Sequence, residues 1–148
     1  MSGSQLEVVI DGPPDQVFDV VTIAGLWPQW HALSRAVAGV TERPFQLGDR
    51  IYEFIRTPAG PAELDYQVVE CDRSRRARMQ AEDGTVVTYT FESRGDMTVF
   101  RRVLELGSAP GTERPLPAST DTEQSSVPNL KALVENILWR EHKGRALR

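Results

Sequence analysis

Apolar and polar residues alternate like strands through the middle of the chain and fall at helical spacing near its two ends. Leu6 to Ile10 reads as a first strand. Gly12-Pro13-Pro14-Asp15 then interrupts the pattern. Proline suits a first helical turn, and an acidic side chain favours a helix N-terminus. Val17, Phe18 and Val21 follow on one helical face, which Ile23 or Leu26 extends. Gly25 breaks that helix. A residue before proline is biased away from helical geometry, so Trp27 marks a break and a second short helix is expected to begin near Pro28.

Beyond this point the period changes to two. Ile51 to Arg56, Ala62 to Cys71, Ala77 to Ala81, Val86 to Glu92 and Met97 to Leu106 each have strand character, and Ser34 to Val40 is a weaker strand before them. Pro58-Ala59-Gly60-Pro61, Asp72-Arg73-Ser74, Glu82-Asp83-Gly84 and Arg94-Gly95-Asp96 divide them. Successive strands joined by short turns predict an antiparallel meander.

Gly107 to Ser126 holds three prolines, two glycines and many small polar residues. It reads as a long flexible loop, either mobile or lying over a cavity opening. One clear helix follows. Ser125 or Ser126 can cap it and Pro128 fits its first turn. Val127, Leu130, Leu133, Val134, Ile137 and Leu138 recur on one broad apolar face.

The chain has 148 residues, of which 40% are hydrophobic and 26% charged, which suits one globular domain spanning residues 1–148. A net charge of −4 gives no global basic field, so no nucleic-acid partner is expected. The run Arg73-Ser74-Arg75-Arg76-Ala77-Arg78 sits between strand-like segments and reads as a solvated turn. Cys71 is the single cysteine, which excludes an intrachain disulfide and a cysteine-rich metal cage. His31 and His142 lack metal-ligand spacing, so no metal and no other cofactor is expected. No signal-peptide pattern opens the chain and no apolar run suits a bilayer, so the expectation is a cytoplasmic protein without stable membrane insertion.

A sheet with one apolar face needs a cover, and the last helix is the only long one available. The stretch "PPDQVFDVVTIAGLWPQWHALSRAV", followed by "LGDRIYEF" and "AELDYQVVECD", resembles the START-like, helix-grip superfamily, which includes polyketide cyclase/dehydrase and lipid-transport proteins. The resemblance covers nearly the whole chain. It implies an α+β helix-grip fold, in which a curved antiparallel β-sheet wraps around a long C-terminal α-helix, with two short helices after the first strand. It also implies that the Trp-Pro-x-Trp turn packs the short helices against the sheet, which makes Trp27 and Trp30 structural first and ligand contacts second.

Strand alternation supplies the candidate cavity residues. The apolar-rich faces carry Tyr52, Phe54 and Arg56; Leu64, Tyr66 and Val68; Val87, Tyr89 and Phe91; and Phe100, Arg102 and Leu104. Pointed at the concave side, they predict an aromatic cavity closed by Leu130, Val134 and Leu138, with Trp30 at its edge. Arg102 is mid-strand between Phe100 and Leu104, so its charge needs an anionic or carbonyl-rich ligand, a cavity-facing carboxylate or trapped water. Arg56 lies beside a turn and can reach solvent.

Two functions follow. The first is an aromatase-like polyketide cyclase without a cofactor, in which Arg102, with Arg56 as alternative, stabilises an oxyanion while His31 and Tyr66 move protons. The alternative is a non-catalytic carrier or sensor of a lipid or polyketide. Both take a hydrophobic small molecule, and either admits a homodimer. A third reading, a protein-partner role, predicts an exposed apolar patch.

Overall fold

The computed structural model describes residues 3–107 and 120–146. Its strands are β1 (Gly3–Asp11), β2 (Ser34–Gly39), β3 (Arg50–Thr57), β4 (Gly60–Asp72), β5 (Arg76–Ala81), β6 (Val86–Arg94) and β7 (Met97–Glu105). They form one antiparallel sheet in the order β1-β7-β6-β5-β4-β3-β2. The chain therefore runs as a meander from β2 to β7, and only β1 pairs out of sequence. The hairpin at Pro58-Ala59 is held by Thr57, whose hydroxyl accepts the Ala59 N–H at 3.1 Å and donates to the Gly60 carbonyl at 2.8 Å.

Helices α1 (Pro14–Val21) and α2 (Trp27–Trp30) lie between β1 and β2, and α3 (Thr120–Gln124) and α4 (Val127–Ala146) follow β7. The sheet curls as a half-barrel around α4. Leu130, Val134 and Leu138 of α4 are buried in one core with Leu6, Ile10, Tyr66 and Phe100, while Val127, Leu133 and Ile137 flank it. Gly12 lets α4 approach closely, because a Cβ there would lie 2.6 Å from Leu138 Cδ1.

Three expectations change. Trp27 is helical (φ −54°, ψ −44°), so α2 begins one residue earlier than the following proline suggests. The segment from Gly107 to Ser126 is not all loop: Thr120–Gln124 is helical, while the remainder of that expectation, residues 108–119, lies outside the described residues.

The third correction concerns β3. Tyr52, Phe54 and Arg56 face away from the core; Phe54 is 42% exposed and Arg56 is exposed. Ile51, Glu53 and Ile55 point inward instead. Directly opposed residues of an antiparallel pair share a face. Ile51 opposes Tyr66 and Glu53 opposes Leu64, and both partners are inward. The β3 pattern carries apolar residues on both faces, and a buried glutamate on the inner one disguises it.

The edge strand β1 is covered by side chains. Gln124 Oε1 accepts the Glu7 N–H at 2.7 Å, Glu135 Oε2 accepts the Asp11 N–H at 2.8 Å, and Lys131 Nζ donates to the Val9 carbonyl at 3.0 Å. Alternate edge groups that would otherwise template another strand are thereby satisfied.

Candidate functional site

The interior is lined by aromatic rings in mutual contact. Phe45 stacks on Tyr89 with centroids 5.9 Å apart, Tyr89 meets Phe100 edge-on at 5.2 Å, and Phe91 lies 5.1 Å from Phe100. Trp27 presents edges to Phe45 and Tyr66. Its indole N–H donates to the Val21 carbonyl at 3.4 Å, which fixes α2 against α1. Trp30 is buried and meets His31 edge-on.

A charged cluster is set into this apolar wall. Arg102 projects inward from β7, with Leu6 of β1 and Tyr89 of β6 directly opposite on its two sides. Its Nη1 donates to Glu123 Oε1 at 2.6 Å. His31, in the link between α2 and β2, meets the other carboxylate oxygen, Oε2, through Nε2 at 2.9 Å. The Leu33 N–H donates to His31 Nδ1 at 3.3 Å. Nδ1 is thus the acceptor, so Nε2 carries the proton and donates to Glu123. All three side chains are buried.

Burial alone would raise the Glu123 carboxyl, but the Arg102 charge and the His31 hydrogen bond outweigh it and hold the group at about 2. Burial opposes the Arg102 charge, yet the Glu123 carboxylate beside it keeps the guanidinium firmly protonated. Tyr66 is pushed well above the usual phenol range, by burial first and by the Glu53 carboxylate second, with Arg102 opposing. Tyr89 moves upward as well, mainly by burial. Both phenols therefore remain neutral donors.

Among the described residues, two polar atoms here have no hydrogen-bond partner: the Tyr66 hydroxyl and Arg102 Nε. Both side chains are buried, and a buried donor left unsatisfied costs about 1–3 kcal/mol. At the end of the β1–β7 pair, a hollow of about 560 Å³ is lined by Ser4, Gln5, Val103, Glu105, Leu106 and Thr120, among others. The buried Ser4 hydroxyl on its wall is also unpartnered.

The sequence matches the polyketide cyclase/dehydrase and lipid-transport family over residues 2–137. The chain belongs to this family. No curated protein matches it. Among solved structures it is similar to DR_A0006 from Deinococcus radiodurans (13% identity, TM-score 0.66, covering 90% of this chain and 97% of that one). It is also similar to the major latex-like protein 151 of Panax ginseng (10%, 0.64, 89% and 97%). A third is DynU16, from the dynemicin biosynthetic locus (15%, 0.56, 93% and 47%). At these identities the likeness is one of fold.

In this member of the family, the candidate residues separate into two groups. Arg102, His31, Tyr66, Trp30, Tyr89, Phe91, Phe100, Leu130, Val134 and Leu138 are all buried. Tyr52, Phe54 and Arg56 are not brought to them, for the reason of register given above. Glu123 and Glu53 are buried acidic groups that alternation and composition do not reveal, and Phe45 joins the aromatic wall from outside any strand. Thr120-Asp121-Thr122-Glu123 does carry a signal, because a threonine followed three residues later by glutamate is a helix-start signature. Among the described residues no helix is long and apolar enough to cross a membrane, and no three His, Cys, Asp or Glu side chains converge as metal ligands.

Proposed function

We propose that the space between the sheet and α4 binds an apolar or aromatic small molecule by one of its oxygen atoms. The observation that carries this reading is the pair of unpartnered buried donors, Tyr66 Oη–H and Arg102 Nε–H, set in an aromatic wall. A ligand pocket of this kind needs apolar surface for affinity and few polar groups for orientation. A neutral carbonyl compound such as 2-naphthamide tests the reading by calorimetry. Tyr66→Phe is expected to weaken binding roughly tenfold while leaving stability intact, since a single hydrogen bond is lost. Binding indifferent to Tyr66→Phe and to Arg102 substitution would remove this seat.

A second reading, cofactor-free cyclisation and dehydration of a polyketide, is favoured by the chemistry of the same two donors. A neutral phenol and a fixed positive charge can stabilise an enolate or aldolate oxygen. His31 suits proton transfer less well, because both ring nitrogens are engaged, by Leu33 and by Glu123. Binding is therefore the better supported reading, and turnover of a poly-β-ketone analogue by the wild type but not by Tyr66→Phe would favour catalysis.

A further inference from the structure

Glu123 places both of its oxygens on the two donors that an acidic ligand would need. Those donors belong to the body of the fold. Arg102 stands on β7 between its β1 and β6 neighbours, and the Leu33 N–H keeps the protonated Nε2 of His31 aimed at the carboxylate.

The element that carries Glu123 is short. Helix α3 has five residues, and only Glu123 among them is buried. Besides the Glu123 pairs, Gln124 Oε1 accepts the Glu7 N–H and, just beyond α3, Ser126 Oγ accepts the Ala32 N–H at 2.8 Å. The hollow lined by Ser4 reaches Thr120, three residues before Glu123. Ser4 lies two residues along β1 from Leu6 on the same inward face, while Gln5 and Val103 line the hollow from the outer face, so it opens at the end of the sheet beside α3.

We propose that Glu123 is an internal stand-in for a ligand carboxylate: the site takes an aromatic or apolar carboxylic acid, whose carboxylate replaces Glu123 on Arg102 and His31 and releases α3. This rests on the reading that the interior takes a small molecule, and it adds the chemical class. The exchange trades one buried carboxylate for another, so the guanidinium never stands unpaired. A neutral ligand has no such means of expelling Glu123, because it would leave a buried charge uncompensated, and it must bind with Glu123 in place.

The test titrates 2-naphthoate and its neutral counterpart 2-naphthamide into the wild-type chain and Glu123→Gln by calorimetry. With its competitor removed, Glu123→Gln should bind 2-naphthoate at least about tenfold more tightly than the wild type, with 2-naphthamide affinity nearly unchanged. Unchanged 2-naphthoate affinity beside intact 2-naphthamide binding would overturn the proposal and leave the interior-ligand reading standing. Failure of both probes on both proteins would remove that reading, and the proposal with it. Should Glu123→Gln not fold, amide exchange on the wild type decides. Saturating 2-naphthoate should speed exchange at Ala32, Ser125 and Ser126 where 2-naphthamide does not, and equal exchange with either probe bound would overturn the proposal.

Discussion

Glu123 of α3 and Arg102 of β7 meet at 2.6 Å inside the half-barrel, and the carboxylate reaches His31 with its second oxygen. One buried carboxylate therefore ties together the last strand, the link between α2 and β2, and the segment that leads into α4. Breaking such a pair from one side leaves a buried charge with nothing to neutralise it.

Arg102→Met should consequently destabilise the chain by about 3–5 kcal/mol in urea denaturation, although methionine nearly conserves the apolar volume. Adding Glu123→Leu to it should recover part of that loss, because the stranded carboxylate goes too. A double variant as unstable as the sum of the two single ones would show that the two residues do not act as a pair.

Acid should act through the same carboxylate. Its value of about 2 in the folded chain lies below the ordinary 4.5. As pH falls, the unfolded chain takes up this proton first, so the stability contributed at neutral pH is lost progressively between about pH 5 and pH 2. The loss should be roughly 3 kcal/mol. Denaturation midpoints of the wild type and Glu123→Gln should converge across that window, and parallel curves would contradict the assignment.

The register of β3 makes a sharp contrast between neighbours. Ile51→Ala removes a fully buried side chain and should cost about 2–5 kcal/mol. Phe54→Ser, on the outer face, should cost no more than about 1 kcal/mol despite deleting the larger side chain. Equal losses in thermal unfolding would place Phe54 back inside.

The β1 edge should open when its side-chain cover is removed. Gln124→Ala combined with Glu135→Ala frees the Glu7 and Asp11 N–H groups. Faster amide exchange at those two residues and concentration-dependent self-association in sedimentation are expected. Unaltered exchange would mean that other groups protect the edge.

Local sequence was enough to determine the strands, their order and the long last helix, but not α3. Alternation places Leu64, Tyr66 and Val68, Val87, Tyr89 and Phe91, and Phe100, Arg102 and Leu104 on inward faces, because each run carries its larger apolar and aromatic residues on one side of the pleat. The stripe from Leu130 to Leu138 identifies the gripped helix for the same reason, and Arg102 stands out by being charged within an apolar face. Only the tertiary structure decided β3, where both faces are apolar enough and pairing with β4 selects the face that carries Glu53. Only it decided the partner of Arg102, since Glu123 lies in a polar stretch with no apolar period and comes into reach when α3 docks across β1. A strand's face is written in its own residues, whereas the partner of a buried charge depends on which distant segment the chain brings to it.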